Sequence, residues 1–202
     1  AVEAAFTLPL DEGLKREREL FAECLVSPQR AALVHAFFTE RLASKVDGLA
    51  KDTPVRDVKS AAVIGGGTMG VGIAMCFANA GIPVKVLEIT AEARDKAMQR
   101  ARDTYGMSVK RGSLNEAALE KRMALISGVT DYADLADVDL VIEAVFEEMS
   151  VKQKVFSALD ANCKPGAILA SNTSSLDLNE IANLTKRPED VVGLHFFSPA
   201  NV

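Results

Sequence analysis

The spacing of apolar and polar positions changes character once along the chain, between residues 46 and 59. Before that point apolar residues recur at helical intervals. Leu14 to Phe21 is charged and periodic, and a stronger helix opens at Ser27-Pro28, where Ser is a preferred N-cap and Pro suits the first turn. Leu33, Phe37 and Arg41, with Val34 and Phe38, put an apolar stripe on one helical face. Two helices have no core of their own, so residues 1–45 must pack on something else. Residues 46–59, with Gly48, Pro54 and mixed charge, read as a linker.

From Ser60 the period shortens. Ala61-Ala62-Val63-Ile64 is wholly apolar, as expected of a parallel strand covered on both faces. The pattern then predicts helix Met69–Ala80, a stop at Gly81-Ile82-Pro83, strand Val84–Leu87 and helix Ala91–Arg111. A further helix starts at Ser113, where Ser113 and Glu116 have capping-box spacing, before a short strand from Ile126 to Val129. Strand Val138–Ile142, helix Ser150–Ala161 and strand Ala167–Ala170 follow. The short helix Asp177–Asn183, with its own Asp177/Glu180 box, precedes the last strand, Val191–Phe196. Strands alternating with helices specify an α/β fold. The expectation for 60–202 is a Rossmann-type doubly wound parallel sheet with helices on both faces, in order 3-2-1-4-5-6, preceded by two N-terminal helices.

Composition narrows the function classes. The chain has 202 residues, 49% hydrophobic and 25% charged, ordinary for a globular protein. No apolar run reaches the length of a membrane span. A net charge of −5 and scarce aromatics argue against nucleic-acid binding. Cys24, Cys76 and Cys163 are odd in number, far apart and without metal-ligand spacing, so no metal is expected and a reducing compartment is the natural reading. Cys76, in an apolar helical stretch, reads as a buried small hydrophobe. The first residue is Ala and no charged-then-apolar leader follows, which suggests a fragment or processed chain.

The chemistry begins at Gly65-x-Gly67-x-x-Gly70. The spacing alone is weak, but it follows a predicted strand and opens a helix. There Gly65 takes the tight turn, Gly67 lets backbone approach a pyrophosphate, and Gly70 permits close helix–strand packing. The helix N-terminus, with Thr68 and Met69, offers free N–H groups to phosphate. About twenty residues on, at the end of the second strand, Glu88 could accept from ribose hydroxyls and repel a 2′-phosphate. NAD is therefore the expected cofactor.

Further candidates lie beyond other strand ends. Glu143-Ala144-Val145-Phe146-Glu147 sits where ligands bind in open α/β sheets. By composition Lys152 and Lys154 are solvated surface charges. Ser171-Asn172-Thr173-Ser174-Ser175 could hold a polar substrate or nicotinamide, and reads equally as a turn and cap segment. His195 interrupts an apolar strand at its carboxyl end, where a general base for hydride transfer would sit. His35, on an N-terminal helix, reads as structural.

Together these residues resemble the 3-hydroxyacyl-CoA dehydrogenase family. The matching segments are Ala62 to Gly70, Val141 to Glu147, Ser171 to Leu176 and Gly193 to Pro199, in the family's order. Phe6 to Leu14 and Ala32 to Arg41 are similar to the end of the enoyl-CoA hydratase part of multifunctional fatty-acid oxidation proteins, which adds lyase and isomerase activities to such proteins. The resemblance implies a slice of a β-oxidation enzyme, with a hydratase domain and a C-terminal dehydrogenase domain as partners in the same polypeptide. It implies bacterial cytoplasm as the location, with peroxisome or mitochondrial matrix as alternatives.

The resemblance also implies roles. His195 is the catalytic histidine that takes the 3-hydroxyl proton, and Ser174 contacts the substrate oxygen and the cofactor. Glu147 and Lys152 lie near the NAD ribose and nicotinamide, with Ala144, Val145 and Asn172 beside them. Ser198 stands where some members have Asn. Thr104, Lys110 and Arg111 fall near CoA-contacting positions. The family pairs its histidine with a glutamate about a dozen residues later, beyond the sequence given. The expectation is a chain that binds NAD but oxidises 3-hydroxyacyl-CoA feebly or not at all. Two other readings are a dinucleotide-binding module kept for structure and a Rossmann dehydrogenase of small hydroxy acids. Ser174 and His195 speak against the first, and the hydratase-like tail with the Ser171-Asn172-Thr173-Ser174-Ser175 run speaks against the second.

Overall fold

The computed structural model describes residues 1–43, 45, 46, 48–50 and 52–201. It divides into two compact units, Ala1–Val55 and Arg56–Val202. The first holds three helices rather than two: α1 (Val2–Thr7), α2 (Leu10–Leu25) and α3 (Pro28–Ala43). Pro9 separates α1 from α2, since its ring fixes the backbone and removes the N–H that would continue the first helix. Ser27 caps α3 as expected, its Oγ accepting from Arg30 N at 3.1 Å. No residue of the three helices is buried, and Phe6 remains 87% exposed.

The second unit is one six-stranded sheet, all strands parallel, in order β3-β2-β1-β4-β5-β6. The strands are β1 (Ala61–Ile64), β2 (Val84–Leu87), β3 (Ile126–Val129), β4 (Leu140–Glu143), β5 (Ile168–Ser171) and β6 (Val191–Gly193). Between them run α4 (Thr68–Asn79), α5 (Ala91–Lys110), α6 (Glu116–Met123), α7 (Met149–Asn162) and α8 (Leu178–Ala182). Every residue of β1 is buried, because alternate side chains enter different cores. Ala61 and Val63 pack with Ile73 of α4, Ala97 and Tyr105 of α5 and Leu119 of α6. Ala62 and Ile64 pack with Phe156 and Leu159 of α7 and Ile181 of α8.

Three local expectations change. The cap of α6 is Asn115, whose side chain accepts from Ala118 N at 2.8 Å, while Ser113 Oγ donates back to Ser108 O. An Asn one residue before the helix outcompetes a Ser three residues before it. The last strand ends at Gly193 instead of Phe196, because Phe196 N donates to the Asn172 side chain (2.8 Å) rather than to a strand carbonyl. Cys76 is only half-buried, and its thiol donates to Ala200 O at 2.9 Å, where residues 200–201 lie back on α4 beside Gly72.

The sheet order decides where a ligand can sit. From β1 the chain turns to β2 on one side, and from β4 to β5 on the other. The loops after β1 and β4 therefore part, leaving a crevice at the carboxyl ends of the two central strands.

Candidate functional site

The glycine turn forms one wall of that crevice. Gly65 has φ +96°, a left-handed conformation that L side chains rarely adopt, and its N–H donates to Leu87 O at 2.9 Å. A Cβ on Gly70 would lie 1.8 Å from Gly65 O, so the helix packs on the turn only without one. A Cβ on Gly67 would meet nothing within 4 Å, so the space above it is open. No side chain caps α4, and its first-turn N–H groups have no intrahelical acceptor. This is the donor set and the clearance that a pyrophosphate needs, so the turn fits NAD.

Glu88 stands at the end of β2 as expected, but its carboxylate also serves the protein. Oε1 accepts from Gly66 N at 2.6 Å. Gly66 was not singled out by the sequence, yet a Cβ there would lie 2.4 Å from Ala97 Cβ and 3.1 Å from Glu88 Oε1. A run of three glycines was the available signal. Arg100 is a second unforeseen neighbour: from α5 its Nη1 donates to Thr68 Oγ1 at 3.0 Å, at the first turn of α4.

Two cavities share the walls Met69, Ala144 and Val145. The larger, about 520 Å³, lies over the glycine turn between Glu88 and the apolar side chains Ile89, Tyr132 and Phe146. The other, about 340 Å³, is lined by Glu147, Lys152, Asn172, Ser174, His195 and Ser198 together with Phe196 and Phe197. The cofactor candidates Gly65, Gly67, Thr68, Met69, Glu88, Ala144, Val145, Glu147, Lys152, Asn172, Ser174 and Ser198 all line one or both cavities, and Gly70 supports the turn beneath. A smaller pocket that gathers charged and hydrogen-bonding side chains thus adjoins a larger, mostly apolar one, a division suited to the two halves of a dinucleotide.

Lys152 overturns the reading from composition. It is 1% exposed, on the second turn of α7, and its Nζ lies 2.7 Å from Glu143 Oε1 and 3.2 Å from Glu147 Oε2. A lysine is buried only with a counter-charge, and the two carboxylates supply it. Lys154 is exposed. Glu147 Oε1 accepts from Thr173 Oγ1, Ser174 N (2.8 Å) and Ser175 N (3.2 Å). Burial pushes the Glu147 carboxyl up, but these donors and Lys152 outweigh it and hold its pKa down at about 2. The Ser171–Ser175 run is therefore both a turn clasped on Glu147 and a cavity wall.

His195 lies two residues past β6, exposed, with its ring edge-on to Phe197 at 5.1 Å between centroids. Among the described residues no carboxylate pairs with it. Asn172 fixes the backbone beside it through Phe196 N. The structure does not bring Thr104, Lys110 and Arg111 to the crevice. Thr104 Oγ1 donates to Arg100 O within α5, Lys110 lines a separate groove between α5 and α6, and Arg111 is exposed beyond the helix end. His35 stays with the first unit, its Nε2 3.5 Å from Thr39 Oγ1.

Residues 60–202 match the family described as "3-hydroxyacyl-CoA dehydrogenase, NAD binding domain". The whole chain aligns with the peroxisomal bifunctional enzyme of Homo sapiens at 43% identity over 206 residues, 28% of that protein. It aligns over 94% of its length with the peroxisomal fatty acid beta-oxidation multifunctional protein of Oryza sativa, at 41% identity and 26% of that protein. The chain thus spans about a quarter of these relatives. Among solved structures, 3-hydroxybutyryl-CoA dehydrogenase of Escherichia coli K12 superposes with TM-score 0.70 at 42% identity, over 73% of this chain and 31% of that one. The dehydrogenase part of multifunctional enzyme 1 from C. elegans gives 0.70 at 37% identity, over 79% and 36%.

Proposed function

Because the chain belongs to the 3-hydroxyacyl-CoA dehydrogenase family through its NAD-binding domain, we propose that it is the cofactor-binding part of an enzyme oxidising (S)-3-hydroxyacyl-CoA to 3-oxoacyl-CoA in fatty-acid β-oxidation. One observation carries this reading: His195, Ser174 and Asn172 line the same cavity, which shares a wall with the glycine-turn cavity. A dinucleotide module kept only for structure has no use for that polar cluster.

Bound NAD supplies the hydride acceptor. The glycine turn and the first turn of α4 hold the pyrophosphate, and Glu88 accepts from the adenosine ribose and disfavours a 2′-phosphate. Glu147, Lys152, Asn172 and Ser198 surround the nicotinamide half. His195 takes the 3-hydroxyl proton on a ring nitrogen, while Ser174 hydrogen-bonds the same oxygen. The exposed imidazole has no carboxylate beside it among the described residues, so the chain alone binds NAD and turns over feebly.

The relatives' names favour a bifunctional polypeptide in a peroxisome over a bacterial cytoplasmic enzyme. The exposed helices of the first unit then serve as the tail of a hydratase domain, which would bring the lyase and isomerase activities. Titrating the chain with NADH and assaying acetoacetyl-CoA reduction tests the proposal. NADH binding with weak turnover is expected. Absence of NADH binding overturns the cofactor reading, and full turnover overturns the expectation of feeble activity.

A further inference from the structure

Five polar groups close a ring behind the smaller cavity. Ser171 Oγ donates to Glu143 Oε2 at 2.7 Å, and Glu143 Oε1 accepts from Lys152 Nζ at 2.7 Å. Lys152 reaches Glu147 Oε2 at 3.2 Å, Glu147 Oε1 accepts from Thr173 Oγ1, and Thr173 N donates back to Ser171 Oγ at 3.2 Å. The ring joins the end of β4, the second turn of α7 and the loop after β5. Parallel register makes it possible, because Glu143 and Ser171 are direct partners across β4 and β5.

Glu143 sits behind the crevice, as do Ser171 and Thr173. It is 0% exposed and lines neither cavity of the crevice. Both its oxygens are occupied, since Oε1 also accepts from Val145 N at 2.7 Å. A buried carboxylate is costly, and a fold that needed only packing here would be served as well by apolar side chains of similar volume. What the carboxylate does is hold the Lys152 ammonium in place. Two of the three ammonium donors go to Glu143 and Glu147, leaving one for an acceptor in the cavity that Lys152 lines.

We infer that Glu143 is a positioning residue for the nicotinamide half of the cofactor, acting through Lys152. The acceptor it aims at is a neutral oxygen of that half, a ribose hydroxyl or the carboxamide. The inference rests on the NAD reading above and goes beyond it. It separates the two halves of the cofactor, because the adenosine half meets the other cavity, which neither Glu143 nor Lys152 lines.

The test compares NADH with ADP-ribose, which lacks the nicotinamide, on the 202-residue chain. Loss of one charge-assisted contact predicts that E143Q weakens NADH roughly tenfold or more while ADP-ribose changes less than about twofold. K152M gives the same pattern, and adding E143Q to K152M costs nothing more, since both remove one interaction. Should the loss of one of Lys152's two counter-charges in E143Q unfold the chain, E143M/K152M removes both members of the buried pair. It should fold, keep ADP-ribose and lose NADH to the same extent. The inference is overturned if either variant binds NADH as tightly as wild type, if both ligands weaken equally, or if the single effects multiply. Wild type that binds neither ligand overturns the NAD reading itself, and this inference with it.

Discussion

The Glu88 carboxylate accepts a hydrogen bond from Gly66 N–H at 2.6 Å, so the acid proposed to meet the ribose also braces the turn proposed to meet the pyrophosphate. On that proposal one side chain couples the two parts of the adenosine site. E88Q keeps an acceptor for Gly66 but loses the charge. It should weaken NAD about tenfold and narrow the preference over NADP, because a bond to a charged acceptor becomes a neutral one. Calorimetric titration with both dinucleotides checks this, and unchanged NAD affinity would remove Glu88 from the site.

The glycines separate folding from binding. A Cβ at residue 70 collides with the Gly65 carbonyl, whereas one at residue 67 meets no atom of the protein within 4 Å. G70A should lose about 3 kcal/mol of stability or more, as overpacking against backbone does at its worst. G67A should unfold as wild type does and still bind NADH far more weakly. Urea unfolding alongside NADH titration distinguishes them; equal stability of the two variants would contradict the assignment.

His195 is expected to act in chemistry and not in binding. H195Q in the complete dehydrogenase should lower kcat by about 100-fold or more, the usual range for a lost general base. On the present chain it should leave the NADH dissociation constant within about twofold. A large loss of NADH affinity would make His195 a cofactor ligand instead.

Glu147 predicts acid sensitivity with a definite sign. Its folded pKa of about 2 lies below the ordinary 4.5, so its contribution to stability is full above pH 4.5 and is lost as pH falls toward 2. The side chain is 37% exposed, and solvent screening keeps the contribution modest. E147Q should therefore lose less stability than wild type between about pH 6 and about pH 3, measured by urea midpoints. Parallel loss in both proteins would assign the acid transition elsewhere.

The core on the α7 side of the sheet is anchored by Phe156, which is fully buried among Leu159, Ile181 and the residues of β1 and β4. F156A should cost about 3–5 kcal/mol, transfer and cavity together. Calorimetry that showed no fall in Tm would mean that the site collapses around the smaller side chain.

The strand–helix alternation after Ser60 and the cofactor were legible because each is a local signal: apolar runs four residues long, glycine spacing and an acid at a strand end. The sheet order followed from the fold class that the alternation specifies. His195 and Ser174 were legible through motif, and the structure brings both to one cavity. The boundary of β6 was not legible. A side chain from the loop after β5, Asn172, claims the Phe196 N–H, and no pattern within Val191–Phe196 records that competition. Helix α1 was missed because six residues are too few to show a period.

Lys152 marks the division most clearly. Read along the chain, a lysine in Ser150-Val151-Lys152-Gln153-Lys154 looks no different from its exposed neighbour Lys154. The amino-acid order by itself determined the local elements and the glycine turn, because these depend on neighbours a few residues away. Only the tertiary structure decided that Lys152 is buried and Lys154 is not. The carboxylates that make its burial affordable lie five and nine residues away in sequence and meet it only through the packing of α7 on β4, because a charge leaves water only where the assembled fold supplies its partners.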